Sequence, residues 1–113
     1  MRLRAGLGVA LVVAASVACD TQSTGVGSTT PTVSIGDNFF NPASLTIAVG
    51  DTVRWVWGGG GGHEVRFNAA AGAPAICPLT GTGVCARVFP QAGTFDYYCS
   101  PHLPGMVGQV KVQ

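Results

Sequence analysis

Cys99, His102 and Met106 place a thiol, an imidazole and a thioether within the eight residues Cys99-Ser-Pro-His-Leu-Pro-Gly-Met106. Pro101, Pro104 and Gly105 keep so short a stretch tightly turned, so one small cation could touch all three donors. The other histidine of the chain, His63, follows the glycine run Gly58 to Gly62 and precedes the alternating segment Val65 to Phe67, and it offers a fourth donor. Thiolate and thioether favour Cu(I), whereas imidazole suits either oxidation state. Two imidazoles, one thiolate and a weak axial Met therefore form a set that serves copper electron transfer. If the fold fixes the donors against the metal's own preference, little rearranges when an electron moves.

Each residue has a plainer use when taken singly. His102 could be a surface loop residue, Met106 a core filler, and Cys99 a buried hydrophobe or half of a disulfide. A zinc site of His63, Cys99 and His102 is chemically possible, but structural zinc takes four Cys or His ligands and Met is a poor zinc donor. The glycine run lacks the Lys-Ser/Thr ending and the following helix of a phosphate cradle, so it reads as a turned loop.

The elements that must position these donors have a period of two. Val33 to Ile35, Leu45 to Val49, Val53 to Trp57, Val65 to Phe67, Val84 to Phe89, Phe95 to Cys99 and Val107 to Val112 all alternate. Turn signals separate them at Asn41-Pro42, Gly50-Asp51, Gly58 to Gly62, Pro90 to Gly93 and Pro101 to Gly105. Seven or eight short strands with no helical recurrence predict an all-β antiparallel sandwich or small barrel. The alternation puts Val53, Trp55 and Trp57 on one face, and Phe95, Tyr97 and Cys99 on one face with Asp96 and Tyr98 opposite.

Composition agrees with one small domain. The chain has 113 residues, of which 10% are charged and 17 are Gly and 7 Pro; it is turn-rich without being low in complexity. Six basic residues against five acidic ones leave no basic patch for nucleic acid. The apolar stretch Ala5 to Ala18 behind Arg2 and Arg4 is shorter than the roughly 20 residues of a spanning helix and suits an export signal. Residues 1–18 are therefore expected to be a signal peptide. The Ala18-Cys19 pair resembles the bacterial lipoprotein signal, which implies lipidation at Cys19, although Ser16 stands where Leu is usual. Residues 19–31, rich in Thr, Ser and Gly, read as a flexible linker. The folded domain is then 32–113, and a protein periplasmic or at the cell surface, with a possible lipid anchor to the membrane, is expected.

The segment Phe95-Asp-Tyr-Tyr-Cys-Ser-Pro-His-Leu-Pro-Gly-Met-Val-Gly-Gln-Val-Lys-Val resembles the copper loop and last strand of the plastocyanin-like cupredoxins. Pro42, Leu45, Gly50-Asp51-Thr52-Val53 with Trp55, and Ala92-Gly93-Thr94 follow the same pattern. The resemblance implies a Greek-key β-sandwich with one type 1 copper ion held by His63, Cys99, His102 and, axially, Met106. It further implies that His102 shows an imidazole edge at the surface within a Pro101-Leu103-Pro104 patch. Redox protein partners would dock there weakly, since electron-transfer interfaces are small. Tyr98 resembles the position of a second electron exit.

Three departures stand out. The loop has three residues between His102 and Met106, one fewer than in plastocyanins. Glu64 occupies the place of an Asn that braces the copper loop in the family. It is expected either to face solvent or pair with Arg66 or Arg87, or to be protonated and donate to the loop. Cys77-Pro-Leu-Thr-Gly-Thr-Gly-Val-Cys85 is an addition to the basic pattern. In an exported protein it suggests a disulfide-closed loop, Cys77 to Cys85 being the pair left once copper takes Cys99 and lipid takes Cys19. The sequence thus reads as a monomeric one-electron copper carrier and not an enzyme, a saturated site having no open position for a substrate. The rival reading is an exported copper-binding module for delivery or storage without a redox partner.

Overall fold

The computed structural model describes residues 30–113; the expectations for residues 1–18, for Cys19 and for nearly all of the linker lie outside the described residues. Nine strands follow one another: β1 (Thr32–Gly36), β2 (Phe39–Asn41), β3 (Ser44–Ile47), β4 (Thr52–Trp57), β5 (His63–Phe67), β6 (Cys77–Thr80), β7 (Gly83–Val88), β8 (Gly93–Tyr98) and β9 (Val107–Val112). Among the described residues one 3-10 turn, Ser100–His102, lies between β8 and β9. The strands form a four-stranded sheet in the order β2-β1-β4-β7 and a five-stranded sheet in the order β3-β9-β8-β5-β6. The two sheets make the sandwich that the alternation predicts.

Two features differ from the expectation. The sheets are mixed: β1 pairs with β4 in parallel, and so does β3 with β9. The chain crosses from the first sheet to the second after the β1-β2 hairpin and returns as β4, which brings β4 alongside β1 in the same direction. The second feature is two further strands, β2 and β6, in segments expected to be turn and insertion.

Period two decides what is buried. In β4 the inward residues Val53, Trp55 and Trp57 are 0%, 0% and 7% exposed, while Arg54 between them faces solvent. Phe95, Tyr97 and Cys99 are likewise buried, with Asp96 outside. Trp55 is the centre of the core: its ring meets those of Tyr97 at 5.4 Å and Phe67 at 5.8 Å, both edge to face. That geometry aligns the positive ring edge with the negative face and adds about 0.5–1.5 kcal/mol per pair beyond burial. Gly108 faces Tyr97 across the β8-β9 ladder, where any side chain would collide with the phenol ring. Tyr97 thus fills space that only Gly leaves open.

The free edges of the two sheets are fastened together. Cys77 of β6 and Cys85 of β7 form a disulfide, so the bridge joins the outermost strand of one sheet to the outermost strand of the other. Arg87 of β7 reinforces it, with Nε and Nη2 donating to the carbonyls of Ala75 and Ile76 at 2.9 and 2.7 Å. Cys77 also pairs with Val65, two residues from His63. The stapled edge is therefore the one that flanks the first candidate ligand.

Candidate metal centre

His63 opens β5, Cys99 follows the end of β8, His102 closes the 3-10 turn and Met106 precedes β9, so four segments converge at one end of the sandwich. The Cys99 Sγ lies 3.8 Å from His63 Nδ1 and 3.4 Å from His102 Nδ1. All three donor atoms fall within 4.8 Å of one another. Donors bound to one metal at about 2.0–2.3 Å and at tetrahedral to trigonal angles lie roughly 3.3–4.0 Å apart. Both sulfur–nitrogen spacings fall in that range. Cys99 and His63 are 0% and 1% exposed, and His102 is half-buried. The thiol and both ring nitrogens thus face one small, water-poor point, which suits a soft, single ion.

Backbone hydrogen bonds hold the shortened loop. The Cys99 N–H donates to the Met106 carbonyl at 3.1 Å, the His102 N–H to the Cys99 carbonyl at 3.1 Å, and the Met106 N–H to the His102 carbonyl at 3.2 Å. These bonds lock Cys99, His102 and Met106 to one another in register. Met106 is fully buried beside them. A cis Leu103-Pro104 bond lies within the loop. Leu103 is half exposed, and Pro101, Pro104 and Gly105 are exposed around His102.

His63 is held from the other side. The Trp57 indole N–H donates to the His63 carbonyl at 3.0 Å in a buried bond, and β6 pairs with β5 at Thr80. His63 Nε2 is buried without a hydrogen-bond partner, so the ring's polar contact is made through Nδ1, towards Cys99 Sγ. Burial lowers the His63 pKa, the neighbouring His102 lowers it further, and Asp37 partly opposes them. A lowered pKa keeps the imidazole neutral, the form that ligates. Gly60, at φ 90°, lies on the Asp37 carboxylate, where an added Cβ would collide with the oxygens. The glycine run is therefore a turned loop at the metal end, with Gly60 required by contact and by backbone conformation.

Glu64 pairs with Arg66, one of the partners expected for it, and does so while buried rather than facing solvent. It is only 6% exposed. Its Oε1 accepts the Ser100 N–H at 3.2 Å and the Arg66 Nε–H at 3.2 Å, and Oε2 faces Arg66 Nη2 at 3.5 Å. Burial alone raises its pKa, but the hydrogen bonds from Arg66 and Ser100 and the Arg66 charge outweigh burial and lower it. The carboxylate is thus stabilised as an acceptor. The Ser100 amide and the Trp57 indole were not singled out from the sequence. Trp57 was legible only as an inward residue six positions before His63.

A β-sandwich whose end gathers two imidazoles and a buried thiol around one point defines a protein built to hold a soft metal ion. The family model for copper binding proteins of the plastocyanin/azurin family matches residues 28–113. The chain is 36% identical over 85 residues to a plastocyanin from Scenedesmus fuscus, covering 66% of this chain and 86% of that one. It is 35% identical over 86 residues to an amicyanin from Paracoccus denitrificans, covering 72% and 63%. The chain spans less than two thirds of the length of that amicyanin and of several further plastocyanin and amicyanin relatives. Among solved structures, the reduced Cu(I) form of an amicyanin mutant superposes with a TM-score of 0.65 at 34% identity, covering 78% of this chain and 86% of that one. An oxidised amicyanin mutant gives 0.67 at 32% identity and the same coverage. This chain belongs to the plastocyanin/azurin family of copper-binding cupredoxins, and copper is its cofactor.

Proposed function

We propose that this protein is a one-electron carrier working outside the cytoplasm, in which His63 Nδ1, Cys99 Sγ, His102 Nδ1 and, more weakly, Met106 would hold a type 1 copper ion. The observation that carries this reading is the convergence of a buried thiol and two ring nitrogens at metal-binding spacing. Copper bound there supplies the Cu(II)/Cu(I) couple. The chain's own residues supply rigidity. Trp57 and the β5-β6 pairing fix His63, and the three loop hydrogen bonds fix Cys99, His102 and Met106 to one another. Donors held this way cannot follow the preference of either oxidation state, so transfer costs little reorganisation.

His102, half-buried among exposed Pro101, Leu103, Pro104 and Gly105, is the route by which the electron leaves. An uncharged rim of this kind supports brief docking with redox protein partners, because small interfaces separate quickly. Work outside the cytoplasm is supported by the disulfide, which persists in oxidising compartments. Lipidation of Cys19 rests on the Ala18-Cys19 pair alone. With every donor position filled, the site offers no place for a substrate, which supports a carrier and not an enzyme. The test is a redox titration of the copper-loaded protein. One electron per chain, taken up and released reversibly with the metal retained, is expected; loss of the ion on reduction would favour delivery or storage instead.

A further inference from the structure

The ring of ligands is completed by backbone contacts and packing, yet one buried charge lies directly against it. Glu64 adjoins His63 in β5, and Ser100 adjoins Cys99 in the loop. The Glu64 carboxylate therefore ties the strand of one candidate ligand to the residue after another. Ser100 is itself exposed, and its N–H makes this bond alone among the described contacts. A buried anion is costly unless it is paired and hydrogen-bonded. Arg66, on the same strand and half exposed, meets both requirements through Nε and Nη2.

We propose that Glu64 and Arg66 form a charge-neutral clamp, in which Glu64 positions the Cys99 loop against the His63 strand and Arg66 both steers that carboxylate and cancels its field at the metal. Both are positioning residues. The inference rests on the copper reading for its effect on potential, but the clamp itself belongs to the polypeptide.

The geometry explains why the pair occurs together. A lone carboxylate beside a thiolate would stabilise Cu(II) over Cu(I) and repel the sulfur. Arg66 presents a planar fork that engages both oxygens, which a point charge on a flexible stem does less well. One oxygen remains shared with the Ser100 amide, so the loop is fixed without leaving an uncompensated charge.

Two readouts test this. In the metal-free protein, exchange of the Ser100 amide followed by NMR should be faster by about tenfold or more in Glu64→Ala, since a hydrogen bond to a charged group is lost. It should be little changed in Glu64→Gln, which keeps an acceptor, and intermediate in Arg66→Met. In the copper-loaded protein, Glu64→Gln should raise the reduction potential and Arg66→Met should lower it. The double variant should return most of the way to the unaltered value, and Arg66→Lys should lie close to it. Unchanged Ser100 exchange in Glu64→Ala, or potentials that move in the same direction in both single variants, would overturn the clamp. If the unaltered protein failed to turn blue with copper, the copper reading would fall, while the exchange data would still decide the clamp. If Glu64→Ala failed to fold, Arg66→Met against Arg66→Lys would decide it by the same exchange measurement.

Discussion

Replacing both Cys77 and Cys85 by Ala removes the covalent link between the two sheet edges. The two cysteines are eight positions apart. For a closed loop of about nine residues, the chain-entropy relation gives roughly 2.6 kcal/mol of stabilisation. Ala rather than Ser is the right replacement because Cys77 is fully buried, and a hydroxyl there would be desolvated without a partner. In a domain of this size each kcal/mol shifts the melting temperature by about 4–8 °C, so a fall of roughly 10–20 °C is expected. Differential scanning calorimetry of the metal-free double variant measures it, with the unaltered protein under a phosphine reductant as a second arm. Arg87 still bonds to Ala75 and Ile76 in the variant, so the edge does not open completely. A fall below about 4 °C in both arms would refute the argument that the bridge constrains the unfolded chain.

The other expectations concern the core and the site. Met106→Leu should keep the colour of the Cu(II) protein and raise its potential, because a weak axial thioether chiefly stabilises Cu(II); potentiometry checks the sign. Tyr97 carries a hydroxyl that is buried without a well-formed partner, although the nearby Trp55 indole slightly favours its ionisation. Tyr97→Phe should therefore leave denaturant stability unchanged or raised by up to ~1 kcal/mol. Burial pushes the Tyr97 pKa up from 10.0 to about 12. The folded state thus keeps a proton that the unfolded chain releases, so stability present below pH 10 should be lost between pH 10 and 12, by up to ~3 kcal/mol, and Tyr97→Phe should remove that loss. For His63 the sign is reversed. Its lowered pKa means that the unfolded chain binds the proton first, so the metal-free protein should lose stability as the pH falls below the ordinary 6.5. A flat urea midpoint across that range would contradict a buried neutral imidazole.

Much of this architecture could be read from the chain because period two is a strong signal where one strand face is buried. Val53, Trp55 and Trp57, and Phe95, Tyr97 and Cys99, all face inward as their alternation requires. The candidate cluster stood out because Cys, His and Met within eight positions are chemically unusual, and the structure brings Cys99 and His102 together with His63. Other features depend on tertiary context. β2 is only three residues long and ends at Asn41-Pro42, so its local pattern looks like a turn; pairing with β1 makes it a strand. β6 contains Pro78, which argues against a central strand but is tolerated at a sheet edge, where β6 lies. The parallel pairings follow from the crossings between sheets, which no local pattern encodes. For Glu64 the pairing with Arg66, two positions along the same strand, was legible, but its second partner, the Ser100 amide, comes from a loop distant in sequence that no local pattern reveals.

The central claim is that Cys99, with His63 and His102, binds copper through its thiolate in a site fixed by the protein. The visible absorption spectrum of the Cu(II)-loaded protein tests it most directly, followed by addition of a mild reductant and reoxidation. Thiolate-to-copper charge transfer should give an intense blue colour that bleaches and returns without loss of metal, and Cys99→Ser should abolish it while the domain stays folded. A colourless copper complex of the unaltered protein, or a blue colour that survives in Cys99→Ser, would contradict the account.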